Sequence, residues 1–294
     1  MLDAERAREV IYEKLSKPLG MNEVEVAAGI VKIVEANMAG AIRLVTLEEG
    51  YDPRDYVLVA FGGASSLHAC ALAMEMEIKT IVVPAYATVL SAFGVANADI
   101  VHSFSLTDVM DPNEPQRARN HYLEMEKSGH ELLDLEEISP AMREIRHWAE
   151  LRYKGQIHTV MVEVPSDTIK QDKMETAVKN FEDKYQEIYG KGAAYRRSGC
   201  EMVNLGVEMR GKTQKLLLKS LTPVKRPLEE TIRSYRSAYF DGSFITTPIY
   251  DGSSLRPGDR LQGPAIVECE GTTVRVLNGF EAGVDPYLNL ILTC

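Results

Sequence analysis

The sequence predicts an α/β first part followed by a β-rich α+β second part. An apolar run at residues 57–61 leads through a glycine turn into a helix-forming segment, and a second apolar run follows at residues 79–83. Alternation of buried strands with helices is typical of a mostly parallel sheet. Later in the chain, short alternating segments lie between turns rich in Gly, Pro, Asp and Asn, which indicates strands. We therefore expect one domain over residues 1–105 and a second over residues 106–294.

The composition is that of a folded globular protein. The 294 residues are 45% hydrophobic and 26% charged, which suffices for two domains with apolar cores. The net charge of −10, without a cluster of Lys and Arg, argues against nucleic acids and membranes as partners. No segment has the apolar length of a signal peptide or a membrane span, so we expect a cytoplasmic protein that binds small molecules or proteins. The four cysteines include no Cys-x-x-Cys pair and indicate neither disulfides nor a zinc site.

Two helices are predicted before the first strand. The first runs from Ala4 to about Leu15 and should end before Pro18 and Gly20, which are stop signals. The second begins after Asn22 and carries apolar residues at steps of three or four, which mark one buried face. These residues are Val24, Ala28, Val31, Val34, Met38, Ile42 and Val45.

The most informative segment is an apolar run, a glycine turn and a helix. The run at 57–61 has no polar alternation, as expected for a strand covered on both faces. Gly62 and Gly63, which have no side chain, follow where the backbone bends and where a ligand could approach it closely. Ser65 or Ser66 can cap the next helix, whose free N–H groups favour phosphate or ribose oxygens. Two interpretations stay open: a nucleotide-binding turn, and a turn that uses Gly and Ser for its backbone geometry alone.

The remaining elements follow from the same patterns. A strand is predicted at residues 79–83 and a short helix at 91–98. A longer, charged helix is predicted at about 115–136, and another helix at about 169–189. The segment after Asp99 is polar and contains proline, so no strand is predicted there. Two antiparallel strands should be joined at Lys154 and Gly155. Further strands are predicted at 201–209, 244–251, 263–270, 272–276 and 289–293.

Two polar residues near the turn admit a functional and a structural interpretation. His68 is a candidate to line a cleft or to bind a partner. The structural interpretation is favoured, because the sequence indicates no carboxylate that would orient a catalytic or metal-bound histidine. Asn37 stands on the apolar helix and either hydrogen-bonds the backbone of the glycine turn or is an exposed or interhelical amide.

Other histidines and threonines favour structural roles. His147 and His158 are expected on strands and lack the spacing of helical metal ligands. His102 follows Asp99 closely and is expected to form a hydrogen bond at the junction of the two domains. Thr272, after Gly271, is expected in an ordinary hairpin, since no helix follows it.

Six segments in order along the chain resemble the hydantoinase A family. They lie at residues 18–73, 82–102, 153–165, 203–212, 246–274 and 284–292. The family includes ATP-dependent 5-oxoprolinase, N-methylhydantoinase and subunits of acetone and acetophenone carboxylases. The likeness covers essentially the whole chain, so it is more specific than any single motif.

The resemblance implies an incomplete actin-like (ribonuclease H-like) ATPase lobe followed by a β-rich domain. In this family the glycine turn corresponds to the nucleotide-side turn, which favours the nucleotide-binding interpretation. The residues implied in binding the adenosine side are Gly62, Gly63, Ala64, Ser65 and Ser66, with His68 and Asn37 as further candidates. ATP and Mg²⁺ are implied as cofactors of the complete assembly.

The chain departs from the family pattern in two respects. The glycine- and threonine-rich phosphate motif and the Asp-Gly-Gly-Thr-type motif of family members do not occur in it. We therefore expect one wall of a nucleotide cleft, completed by an N-terminal-lobe hydantoinase A subunit and accompanied by a hydantoinase B-type subunit. Ser65 and Ser66 also replace the Gly-Pro pair usual in the family, which changes the backbone shapes open to the turn.

The resemblance implies a subunit or C-terminal portion of an ATP-dependent enzyme that hydrolyses a cyclic amide after phosphorylating its carbonyl oxygen. Three alternatives stay open: a subunit of a ketone carboxylase, a scaffolding subunit that has lost nucleotide chemistry, and an independent nucleotide sensor. The sequence identifies neither a catalytic residue nor the small-molecule substrate. Apolar helix faces that a missing lobe would cover lead us to expect an oligomer.

Overall fold

The computed structural model describes residues 3–294, and in this range it shows a mixed α/β fold with three sheets. Its contacts divide the chain into two compact units. Unit 1 combines the chain up to Val95 with Leu217–Cys294, and unit 2 is Ala96–Leu216. The domain division expected at residue 105 stays a prediction. By its contacts, the C-terminal segment Leu217–Cys294 belongs to the same unit as the N-terminal part of the chain.

The helices and strands have the following bounds. The helices are α1 (Ala4–Ile11), α2 (Lys17–Leu19), α3 (Glu23–Glu48), α4 (Ser65–Glu75), α5 (Leu90–Ala96), α6 (Pro115–Leu135), α7 (Ser166–Lys170) and α8 (Glu175–Tyr189). The strands are β1 (Leu58–Val59), β2 (Thr80–Val83), β3 (Ile100–Met110), β4 (Arg143–Tyr153), β5 (Val160–Val164), β6 (Cys200–Gly211), β7 (Ile232–Phe240), β8 (Ser243–Asp251), β9 (Arg260–Gln262), β10 (Ala265–Cys269), β11 (Thr272–Val276), β12 (Glu281–Val284) and β13 (Leu290–Thr293).

Unit 1 contains two sheets, with strand orders β1-β2-β13-β12-β9 and β11-β10-β8-β7. The prediction of a mostly parallel sheet is wrong, because β13 returns antiparallel to β2 and pairs Ile291 with Val82. β1 and β2 are parallel, as are β8 and β10. Helix α4 packs against both β2 and β11, and Cys70 and Ala73 of this helix lie in the core.

Unit 2 is an antiparallel sheet of order β3-β6-β4-β5 that packs against helices. Its core includes Tyr122 of α6, Phe181 of α8 and Leu205 of β6. The hairpin of β4 and β5 is confirmed, with Leu151 opposite Val160.

Two predictions in unit 2 are wrong. The polar segment after Asp99 forms β3, because Ile100, Phe104 and Leu106 alternate toward the core while the intervening side chains face solvent. The helix expected at about 169–189 is two helices, α7 and α8, separated near Asp172, which has a positive φ of 53°.

The helices of unit 1 begin largely as predicted. Asn22 caps α3 and accepts a hydrogen bond from the backbone N–H of Val24 at 2.8 Å. The prediction that the first helix ends before Pro18 is wrong: a π-helical turn at Tyr12–Ser16 joins α1 to α2, and the helical segment continues past Pro18 to Leu19. Gly20, with φ of 65°, ends it.

In the described part of the chain, no helix combines the length and apolar character needed to cross a bilayer.

Candidate functional site

The glycine turn connects β1 to α4. Gly62 has a positive φ of 90°, a conformation that residues with a side chain rarely adopt. Its N–H donates to the carbonyl oxygen of Ala87 at 2.7 Å. A Cβ added to Gly63 would lie 3.5 Å from the carbonyl oxygen of Gly271, which is ordinary contact. Position 62 therefore needs glycine for its backbone, whereas position 63 has room for a methyl group within this chain.

The first turn of α4 is not capped as predicted. Ala64 occupies the N-cap position and provides no side-chain hydrogen bond. Ser65 donates its hydroxyl proton backward to the carbonyl oxygen of Phe61, and the Ser66 hydroxyl donates to the carbonyl oxygen of Thr273 at 2.9 Å. The predicted capping role of Ser65 and Ser66 is wrong, because both hydroxyls bind carbonyl groups instead. The first N–H groups of α4 consequently have no side-chain cap, which leaves this helix end suited to an anionic or polar ligand.

Ser66 anchors the turn to the hairpin of β10 and β11. Its side chain is buried, and its hydroxyl oxygen lies 2.7 Å from that of Thr272. The Thr272 hydroxyl oxygen also lies 3.2 Å from the carbonyl oxygen of Gly63. The hairpin predicted around Thr272 is confirmed, but its contact with the glycine turn was missed. No local pattern in the sequence could have indicated a contact between residues so far apart.

His68 has the carboxylate partner that the sequence analysis did not find. Its Nδ1 lies 3.1 Å from Oε1 of Glu35 in α3, and Nη2 of Arg275 in β11 donates to the same oxygen at 2.5 Å. All three side chains are largely buried. The expectation that no carboxylate would be available was wrong, because Glu35 comes from a different helix. This group, which we call the Glu35 triad, joins α3, α4 and β11.

Asn37 is exposed on α3. The interpretation in which its amide holds the glycine turn requires a hydrogen bond that is not found among residues 3–294, so the exposed alternative is the one observed. Val34 and Val45, expected on the buried face of this helix, are also exposed.

A groove of about 990 Å³ opens beside the Glu35 triad. Its walls combine alanines and larger apolar side chains of α1, α3, α4 and the β7–β8 turn with charged side chains. The charged residues are Arg8, Glu23, Lys32, Glu35, Glu75, Asp241 and Arg275.

Strand β1 is shorter and more exposed than predicted. Val57 is 53% exposed and Val59 is 46% exposed, so the strand is not covered on both faces. β1 lies at the edge of its sheet, next to β2 alone. Covering both faces of this strand would require elements other than those found in residues 3–294.

The other singled-out histidines have local partners. His102 binds Glu136 at 3.0 Å rather than Asp99, which contacts Lys215. His147 is buried on β4 and lies 2.6 Å from Glu126. His158 is exposed in a loop rather than on a strand. Within residues 3–294, no group of three or more His, Cys, Asp or Glu side chains could hold a metal ion.

Comparisons with known protein families match both parts of the chain. Residues 1–104 match the hydantoinase/oxoprolinase family, and residues 111–292 match the hydantoinase/oxoprolinase C-terminal domain. An uncharacterised protein of Methanocaldococcus jannaschii is 32% identical over 95% of this chain and 39% of its own length.

A caprolactamase and an acetone carboxylase also match the chain. Caprolactamase subunit alpha of Pseudomonas jessenii is 28% identical over 99% of this chain and 43% of its own length. The crystal structure of ATP-dependent caprolactamase from that organism matches with a TM-score of 0.72 at 26% identity, over 99% of this chain and 43% of that chain. Acetone carboxylase in its nucleotide-free structure matches with a TM-score of 0.86 at 24% identity, over the same shares, and shows the same fold.

The chain thus spans about two-fifths of the length of these relatives. The family descriptions nevertheless account for almost all of its residues, in order and in both parts. The chain belongs to the hydantoinase/oxoprolinase family.

Proposed function

We propose that this chain is one part of a cytoplasmic, ATP-dependent enzyme that hydrolyses a cyclic amide, and that its glycine turn forms the adenosine side of the nucleotide cleft. The observation that carries the proposal is the combination of the bare turn at Gly62 and Gly63 with an uncapped first turn of α4. Family membership and the caprolactamase likeness support the reaction class.

The turn fits an adenosine group chemically. No atom lies within 4 Å of the position that a Cβ at Gly62 would take, and Gly63 and Ala64 present little side chain, so a ribose could approach the backbone closely. The uncapped N–H groups of α4 can donate to ribose or phosphate oxygens. Ser66 and Thr272 hold the turn against β11, and the Glu35 triad ties α4 to α3 and β11. We assign Gly62 to Ser65 to the ligand side, and Ser66 and His68 to supporting the turn.

Phosphate and Mg²⁺ would be held elsewhere in the assembly. Mg²⁺ prefers carboxylate oxygens together with substrate phosphates. The residues around the turn provide hydroxyl, imidazole and backbone groups, and the carboxylate of Glu35 is bound to Arg275. In the proposed actin-like lobe, a second part of the assembly supplies the phosphate-binding turns, and a B-type subunit completes the enzyme.

The proposed chemistry begins with transfer of the γ-phosphoryl group to the amide oxygen of the substrate. The bond from the γ-phosphorus to the bridging oxygen breaks and ADP leaves, which converts the amide oxygen into a good leaving group. Water then adds to the activated carbon and the ring C–N bond breaks with transfer of a proton to the nitrogen, which leaves an acyl phosphate. A second water attacks the carbonyl carbon of this acyl phosphate, and the phosphate departs with the original amide oxygen.

Isotope transfer tests this proposal. The chain is tagged in its own cells, the assembly is purified, and a lactam labelled with ¹⁸O at the carbonyl is supplied with ATP and Mg²⁺. The proposal predicts ring opening that requires ATP, with ¹⁸O in the released phosphate. Ring opening without label transfer would refute carbonyl phosphorylation. Carboxylation of a ketone by the same assembly, without lactam hydrolysis, would establish the carboxylase alternative instead.

A further inference from the structure

The segment that follows β2 lies against the glycine turn. β1 and β2 are parallel neighbours, so the segments that follow them leave the same edge of the sheet. The N–H of Gly62 in the first segment donates to the carbonyl oxygen of Ala87 in the second at 2.7 Å. In α/β sheets, ligands bind outside the carboxyl ends of parallel strands. Residues 84–89, which we call the Tyr86 loop, therefore border the proposed nucleotide site.

Hydrogen bonds hold the Tyr86 loop in one shape. The N–H of Ala85 donates to Oδ1 of Asn289 at 3.0 Å, which ties the loop to the segment before β13. Within the loop, the N–H of Ala87 donates to the carbonyl oxygen of Pro84 at 2.9 Å. Ala87 is also buried. A loop that is already ordered can present a side chain to a ligand with little further loss of conformational freedom.

Tyr86 presents an aromatic side chain at the surface of this loop. The residue is 50% exposed. Its ring stacks on that of Phe93 in α5, with the ring centroids 5.9 Å apart and the planes 8° from parallel. This contact orients the Tyr86 ring, and half of the residue stays accessible to another flat group. Every nucleobase has a π-face that can stack on such a ring.

We propose that Tyr86 stacks on the base of the nucleotide whose ribose lies against the glycine turn, and that Phe93 positions the Tyr86 ring. The inference rests on the proposed function, because it requires a nucleotide at this turn. It adds a contact to the base, which the turn itself, with its small side chains, is poorly suited to make. Stacking acts on the face of the base, so removing the ring should weaken nucleotide binding without altering the turn.

The chain offers a matched control at the other end of β1. Tyr51 and Tyr56 precede this strand, at its amino end, whereas the glycine turn follows its carboxyl end. Tyr56 is 52% exposed, and its ring centroid lies 5.7 Å from that of Tyr51. The loss of an exposed tyrosine with an aromatic neighbour can therefore be compared at the two ends of one strand.

Titration of ATP against the assembly purified from its own cells tests the inference. Tyr86→Ala should lower the affinity for ATP about tenfold. Tyr86→Phe keeps an aromatic ring and should bind ATP as the unaltered assembly does. Phe93→Ala leaves the Tyr86 ring without its neighbour and should lower the affinity less than Tyr86→Ala does. Tyr56→Ala is the control and should leave the affinity unchanged.

Photolabelling of the unaltered assembly gives a second measurement that needs no variant. The reactive group of 2-azido-ATP is on the base, so irradiation should attach the label to the part of the chain that contacts the base. We expect the label on the peptide that contains Tyr86, identified by mass spectrometry. Label found only outside residues 84–93 would overturn the inference.

The affinities separate this inference from the proposed function. Unchanged ATP affinity in Tyr86→Ala, or an equal loss in Tyr86→Phe, would overturn the stacking role and leave a nucleotide at the glycine turn in place. An unaltered assembly that binds no ATP would refute the proposed function and this inference together. Equal losses in Tyr86→Ala and Tyr56→Ala would show an effect of removing any exposed tyrosine near β1, which also contradicts the stacking role.

Discussion

The hydroxyl oxygens of Ser66 and Thr272 lie 2.7 Å apart, although the two residues are separated by 206 positions in the sequence. This contact joins the first turn of α4 to β11, and the Thr272 hydroxyl extends it to the carbonyl oxygen of Gly63. The glycine turn is therefore held by the C-terminal strands of the chain. Its shape depends on residues that lie far from it in sequence.

Removing the Ser66 hydroxyl should destabilise unit 1. Ser66→Ala leaves the partly buried carbonyl oxygen of Thr273 without the donor that the buried Ser66 provides, so we expect a loss of about 1–2 kcal/mol in the free energy of unfolding. Urea denaturation provides the measurement. Ser65→Ala is the matched control, because Ser65 bonds only locally and at the surface, and it should cost less than about 0.5 kcal/mol. Equal effects of the two variants would contradict the anchoring role of Ser66.

Removing the carboxylate of the Glu35 triad should lower the free energy of unfolding more than removing the Ser66 hydroxyl does. Glu35→Ala leaves Arg275 and His68 without their shared acceptor, and we expect a loss of about 2–3 kcal/mol in the free energy of unfolding. Glu35→Gln keeps an acceptor oxygen and should cost less. Glu25→Ala, an exposed position of the same helix, is the control. In a double-mutant cycle with Arg275→Ala, strictly additive effects would show that the two side chains do not interact.

Unit 2 should lose stability in acid. Hydrogen bonds from Lys215 and from the Thr213 N–H lower the pKa of Asp99, and those from Lys154 and from the Asn113 N–H lower the pKa of Asp111. Carboxyl groups with a lowered pKa in the folded state bind fewer protons than in the unfolded chain, so their stabilisation is complete above the unfolded pKa of about 4. It is then lost as the pH falls through their folded pKa values.

The measurement for this pH dependence is the urea midpoint of the chain between pH 7 and pH 2.5. We expect a flat profile above about pH 5 and a steady decrease below about pH 4. Asp111→Asn should make the acid decrease shallower. Asp183→Asn, which changes an exposed carboxyl on α8, should leave the profile as it is. A profile that rises toward acid would contradict the assignment.

The thiols should differ strongly in reactivity. Cys70 lies on the buried face of α4, and burial raises its pKa to about 11, whereas Cys294 is exposed. Because the thiolate is the reactive form, iodoacetamide at pH 8 should modify Cys294 more than about 100-fold faster than Cys70. Peptide mass spectrometry over time measures both rates. Rapid modification of Cys70 in the folded chain would show that α4 does not pack as described.

Local patterns in the sequence predicted the elements around the turn. The cap at Asn22, the break at Gly62 and the helix that follows all depend on neighbours within a few residues, and all appear in the structure. β3 was missed although its signal was present, since Ile100, Phe104 and Leu106 alternate as expected for a strand. The polar residues at the alternate, exposed positions made the segment read as a polar loop.

Contacts between distant segments could not be predicted in this way. Nothing near His68 in sequence indicates that Glu35 and Arg275 meet beside it, and nothing near β2 indicates that β13 returns to it. The exposure of Val57 and Val59 has a similar cause. An apolar run predicts that a strand is covered, but it does not tell which chain segment covers it.

The central claim is that adenosine lies against the glycine turn, and titration of ATP against the purified assembly with Gly63→Ala tests it most directly. A methyl group at position 63 meets only ordinary contact within this chain, so the variant should fold and assemble normally. If adenosine approaches this backbone closely, the affinity for ATP should fall at least tenfold, whereas Gly94→Ala, at a glycine of α5 with open space around it, should bind as the unaltered protein does. Unchanged ATP affinity in Gly63→Ala, or an assembly that binds no ATP at all, would contradict the account.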